Sequence, residues 1–124
     1  METLAIKPTA DTPRVLFERT GILQMQGRSL PENPNIFYRP LLEWAANCDI
    51  ENVEFNFQLE YFNTASSKLV FELLKAFKQN TSIKNFLVKW HYEEGDDDSL
   101  ETGQQYNNLL KIPFEFIEVA ESGF

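Results

Sequence analysis

The strongest pattern in the chain is a strict alternation from Val53 to Tyr61. Val53, Phe55, Phe57, Leu59 and Tyr61 fall on one side, and Glu54, Asn56, Gln58 and Glu60 on the other. Period two is the signature of a strand with one buried and one wet face. A parallel strand covered by helices on both faces would read as a continuous apolar run, so the alternation predicts a sheet with its helices packed mainly on one face.

Around this strand the pattern switches several times. Val15-Leu16-Phe17 and the run Ile22 to Gln26, separated by Thr20-Gly21, predict a hairpin. Beyond Pro31 and Pro34, Phe37, Leu41, Trp44, Ala45 and Cys48 recur at helical spacing, with Pro40 predicting a kink or a start near Arg39. Ala65 to Asn80 carries the stripe Leu69, Val70, Leu73, Leu74 and Phe77 of a second helix. A further strand runs from Ile83 to Tyr92. Asp98 with Glu101 resembles a capping box that opens a third helix to Lys111, weakened by Gly103. Pro113 to Val119 supplies a last strand. Residues 1–13, with Pro8 and Pro13 and no apolar period, are expected to be a loose leader to a single domain over residues 14–124. The order of elements predicts an α/β fold built on a mixed sheet with right-handed crossovers.

Composition narrows the function. With 124 residues, 43% hydrophobic and 14% aromatic, the chain has enough apolar material for a core. Nineteen acidic against eleven basic residues give a net charge of −8, which repels nucleic acid and anionic membrane surfaces. One cysteine, Cys48, and one histidine, His91, leave no ligand set for structural zinc, and no metal or cofactor is expected. The single thiol and the lack of a long apolar run place the chain in the cytoplasm by default.

Specific chemistry is sparse. No phosphate loop, nucleophile elbow or zinc-protease motif occurs. His91 with the acids of Glu93 to Asp98 offers a small-enzyme alternative supported only by residue types. The acidic run Glu93, Glu94, Asp96, Asp97, Asp98 and Glu101 lacks calcium-loop spacing and reads as a solvated turn with helix-start acids. Thr64 stands between a strand and an apolar-striped helix, where a hydroxyl caps free N–H groups. The same N–H groups and helix dipole also favour an added phosphate, with Lys68 one turn on to pair with it. At about 100° per residue, Thr64, Ser67, Lys68, Phe71 and Lys75 share one side of this helix, opposite the apolar stripe. Phe71 between two lysines has the composition of an interface anchor, unless it packs on a neighbouring helix. Ser66 points toward the apolar stripe and is expected to be the poorer phosphate acceptor.

Gly27 with Pro31-Glu32-Asn33, then Trp44, Tyr61-Phe62-Asn63-Thr64-Ala65-Ser66-Ser67-Lys68, Trp90-His91-Tyr92 and Pro113-Phe114 together resemble the SiaC family of bacterial regulatory phosphoproteins. The resemblance runs from about Gly21 to Glu118. It implies a STAS-like fold and a non-enzymatic partner switch. A threonine in an Asn-Thr motif, here Thr64 after Asn63, is phosphorylated by a dedicated kinase and dephosphorylated by a PP2C-type phosphatase. The unphosphorylated form binds and activates a diguanylate cyclase linked to biofilm formation, although related switches serve a sigma-factor regulator or another signalling enzyme, so the target is less transferable than the switch. Ala65 departs from the serine that family members often carry there. A constitutive interaction domain, with Thr64 merely a cap, is the remaining alternative.

Overall fold

The computed structural model describes residues 2–120. In chain order the elements are β1 (Leu4–Ile6), β2 (Arg14–Phe17), β3 (Ile22–Ser29), α1 (Pro34–Asn47), β4 (Asn52–Phe62), α2 (Thr64–Gln79), β5 (Asn85–Glu93), α3 (Asp97–Leu110) and β6 (Phe114–Val119). They form one six-stranded sheet in the order β1-β2-β3-β4-β5-β6. β1, β2 and β3 pair antiparallel, and β3 to β6 are parallel. Each helix connects adjacent parallel strands, and the sheet grows in one direction throughout. Right-handed crossovers that never reverse direction place every helix on the same face.

That face holds the core. Phe17, Met25, Phe55, Phe57, Val88 and Trp90 meet Leu41 and Trp44 of α1, Val70, Leu73, Leu74 and Phe77 of α2, and Tyr106 and Leu110 of α3. Phe57 stacks on Trp90 at 4.2 Å between ring centroids, and Phe17, Phe55 and Phe77 meet edge to face. Each such side chain contributes about 1.5–3 kcal/mol by leaving water. The other face stays wet, as the alternation in β4 predicts: Glu54, Asn56 and Gln58 are half-exposed and Glu60 is exposed. Asn56 and Lys89 hydrogen-bond Glu54 there and hold its carboxyl below the ordinary carboxylate range.

Several local expectations are corrected. The segment expected to be a loose leader supplies β1, which pairs with β2, and the Glu2 carbonyl accepts the indole N–H of Trp44 at 2.8 Å. The domain therefore begins before residue 14; its expected end at residue 124 lies outside the described residues. α1 starts at Pro34 rather than near Arg39. Pro34 occupies the first turn, where a missing N–H costs nothing. Pro40 is tolerated because it and Ile36, whose carbonyl it leaves unbonded, both face solvent. In β4 the pairing steps from Gly27↔Leu59 to Arg28↔Tyr61, which leaves Glu60 as an extra residue. The bulge inverts the alternation: Tyr61 turns outward, 51% exposed, and Phe62 turns in against Phe57 and Trp90.

Candidate functional site

The site forms at the C-terminal ends of the parallel strands, where α2 and α3 both begin. Past the bulge in β4 the chain enters α2 through Asn63, which has extended backbone and accepts the Ser66 N–H on its side-chain oxygen at 2.9 Å. Asn63 is thus the cap, and Thr64 is the first residue of the helix. This corrects the reading of Thr64 as the capping residue. It also leaves the Thr64 hydroxyl free of that duty, on an exposed residue at the positive end of the helix. Asn63 and Thr64 are both good capping types, and the phase set by the bulge decides between them.

The two serines that follow are committed elsewhere. Ser66 is fully buried. Its hydroxyl donates to the Ser29 carbonyl at 3.1 Å and accepts from the Ser29 hydroxyl at 2.9 Å. Ser29 in turn lies 2.7 Å from the Tyr38 phenol, whose pKa burial pushes up to about 12. This buried chain of hydroxyls ties the first turn of α2 to β3 and α1. Ser67 bonds the Tyr106 phenol at 2.7 Å, and that phenol donates to the Ser67 carbonyl at 2.6 Å, which joins α2 to α3. Burial raises the Tyr106 pKa, partly offset by the bond to Ser67.

α3 is capped by Asp96, not Asp98: the Asp96 carboxylate accepts the Ser99 N–H at 3.1 Å. Asp97 and Asp98 follow in the first turn, where the dipole favours acids. Gly103 lies directly over Trp90, so its lack of a side chain is what lets α3 seat there.

Between the two helix starts lies a cavity of about 340 Å³. Thr64 and Ser67 border it from α2, Glu60 and Tyr61 from the end of β4, and Asp98, Ser99 and Thr102 from α3 with its cap Asp96. Of the surface expected around the phosphate, Asn63, Thr64 and Ser67 therefore come together. Ser66 is buried beneath them, and Lys68 and Lys75 are exposed outside the cavity. Phe71 is half-buried, with its ring edge-on to Tyr106 at 5.5 Å, so much of it belongs to the seam between α2 and α3. The exposed aromatic beside Thr64 is Tyr61 instead. The acids of the 93–101 segment divide: Asp96 and Asp98 border the Thr64 cavity, while Glu93 shares a cleft on the wet face with His91. Desolvation, with the Lys89 charge, holds His91 below its ordinary pKa. No group of three or more ionisable side chains arranged for a metal occurs among the described residues.

The fold is a one-sided mixed α/β sheet that presents the exposed Thr64 at a helix start. The comparisons with known proteins place it further: the chain matches the SiaC family of regulatory phosphoproteins over residues 6–119 and belongs to that family. The family is one of regulators, not enzymes. An uncharacterised protein of Pseudomonas aeruginosa (strain UCBPP-PA14) is 25% identical over 119 residues, covering 92% of this chain and 94% of that protein. Among solved structures, apo-SiaC of Pseudomonas aeruginosa superposes with a TM-score of 0.80 at 23% identity, covering 94% of this chain and 99% of the other. SiaC in complex with the diguanylate cyclase SiaD, which it activates, gives 0.83 at 24% identity over the same shares. A further structure of SiaC gives 0.79 at 25% identity, covering 98% and 100%.

Proposed function

We propose that this chain is a signalling regulator that binds and activates a diguanylate cyclase while Thr64 is unmodified, and releases it when Thr64 is phosphorylated. The observation that carries the reading is the state of the three hydroxyls at the start of α2. Those of Ser66 and Ser67 are engaged, and that of Thr64 is exposed at a helix N-terminus with its capping role taken by Asn63. A kinase requires such an accessible hydroxyl, and the dipole and free N–H groups ease the added charge. A protein kinase and a PP2C-type phosphatase are the opposing enzymes, and the cytoplasm is where all four proteins would meet. The cyclase target follows by kinship from the SiaC of Pseudomonas aeruginosa, whose complex with SiaD is solved. Asn63, Tyr61 and the exposed Lys68 and Lys75 form the surface around the switch, with the outer edge of Phe71.

The test pairs intact mass with affinity. Incubation with ATP and extract of the source cells adds one phosphate to the wild type and none to Thr64→Ala, and phosphatase removes it. The unmodified chain and Thr64→Ala bind the cyclase alike, while the phosphorylated chain loses at least about thirtyfold in affinity, the scale of one interface hot spot. Phosphate mapped to Ser67 with Thr64 unmodified would overturn the assignment.

A further inference from the structure

How would a phosphate on Thr64 be felt by the rest of the molecule? The proposal that follows rests on Thr64 as the modified residue. Thr64 shares its cavity with three carboxylates, Glu60, Asp96 and Asp98, while Lys68, the cation one turn along, lies outside the lining. Phosphorylation adds about −1.5 to −2 charges to this already negative space. Something must then yield, and the two sides of the cavity are not equally held.

The α2 side is fixed. Its first turn is capped by Asn63, and Ser66 is fully buried in the hydroxyl chain to Ser29 and Tyr38. Further along, α2 buries Val70, Leu73, Leu74 and Phe77. The first turns of α3 are held more lightly, since its two bonds to Ser67 come from Tyr106 further along the helix. It buries only Ser99, Gly103, Tyr106 and Leu110, so little apolar area anchors it. Its first turn depends on the Asp96 cap and on the Trp90 indole, which donates to the Ser99 carbonyl at 3.1 Å. The Ser99 hydroxyl, on a residue 8% exposed that borders the cavity, bonds no other side chain or backbone group among the described residues, so it does not tie the turn down.

We propose that α3 is the internal reader of the phosphate: charge on Thr64 repels Asp96 and Asp98 across the shared cavity and loosens the first turns of α3. The sign of the switch follows. Unmodified, α3 is docked and the rim of Tyr61, Thr64 and Asp98 is in order. Phosphorylated, the rim loses its α3 side without any partner being present. Asp96 is a positioning residue in this scheme, since it acts through the helix it caps.

Phosphothreonine installed at position 64 during translation, verified by intact mass, tests the inference without a kinase. Hydrogen exchange is then followed over residues 97–110. The expected result is exchange about tenfold faster in the first two turns of α3, with β4 and α2 unchanged. In the double variant Asp96→Asn, Asp98→Asn the cap survives, because Asn caps as well as Asp, and the phosphate should leave α3 exchange at its unmodified level. Asp98→Asn alone, which does not touch the cap, should give an intermediate acceleration and serves if the double variant frays α3 before modification. Unchanged α3 exchange in the phosphorylated wild type, as when the phosphate turns outward to Lys68, overturns the proposal. Equal acceleration with and without the two carboxylates overturns it too. Failure of any cellular kinase to modify Thr64 would instead sink the switch reading and leave this measurement standing.

Discussion

Gly103 shows how a single residue can carry the opposite meaning in the sequence and in the fold. In a helix interior glycine costs about 1 kcal/mol relative to alanine, which is why it weakens the helical pattern of residues 98–111. In the structure a Cβ at Gly103 would sit 2.8 Å from the Trp90 indole and 2.9 Å from the Phe116 ring. Trp90 is fully buried and stacked on Phe57, so it cannot step aside cheaply, whereas Phe116 is half-exposed on the edge strand β6. Gly103→Ala should therefore lower stability by about 1–3 kcal/mol in urea unfolding, the cost of overpacking, despite the better helix propensity. A gain in stability would show that α3 lifts off freely. The same limit on sequence reading applies at Thr64. Its place at a helix start is legible, because the alternation of β4 ends at Tyr61 and the 3.6-residue stripe that begins at Leu69 needs a helix start between them. Which of Asn63 and Thr64 caps is not legible, since it hangs on the bulge at Glu60, and a bulge leaves no mark in a run that still alternates in polarity. Ser66 pairs with Ser29, thirty-seven residues away, and no local pattern announces such a partner.

Among the elements, the long ones were legible and the short edge was not. β4 and α2 carry enough periodic positions for pattern to decide, and their limits fall within a residue or two of expectation. β1 has three residues, Leu4, Ala5 and Ile6, too few to establish a period. It forms by pairing rather than by pattern, with Leu4, Ala5 and Ile6 opposite Phe17, Leu16 and Val15 of β2, and as the edge it is kept very short. Leu4 and Ile6 are half-buried against the core, and the Glu2 carbonyl satisfies the indole of Trp44. Removal of residues 1–7 should thus cost about 2–4 kcal/mol from lost apolar burial and one unmade indole bond, read as a lower urea midpoint. A truncated chain with the midpoint of the full one would mean that this segment is the loose leader its composition suggests. α1 teaches a related point about proline. Pro40 costs less where the carbonyl it leaves unbonded can reach water, and exposure of that turn is a tertiary fact.

For the molecule as a whole, one-sidedness is the property that sequence pattern conveyed best, because the solvent contrast across the sheet is written at every second residue of β4. Its consequence is that polar groups on the helical side lie under the core layer and must be satisfied there. The hydroxyl chain of Tyr38, Ser29 and Ser66 does this at the junction of three elements, and it makes stability sensitive to alkali. The Tyr38 phenol is raised from 10.0 to about 12 by burial, partly offset by its serine bonds. The folded state therefore holds the neutral phenol, and the unfolded chain releases that proton first as pH rises. The contribution is fully present below pH about 10 and is lost between about 10 and 12, at up to ~1.4 kcal/mol per pH unit. Tyr106 and Cys48, both raised by burial, push in the same direction. Urea unfolding of the wild type at stepped pH from 9 upward should show this falling slope. Tyr38→Phe, less stable at neutral pH because the Ser29 hydroxyl loses one of its two side-chain partners, should show a clearly shallower one, with the remainder owed to Tyr106 and Cys48. Identical slopes in the two proteins would mean that the phenol ionises as readily folded as unfolded, and that water reaches the junction on which the start of α2 rests.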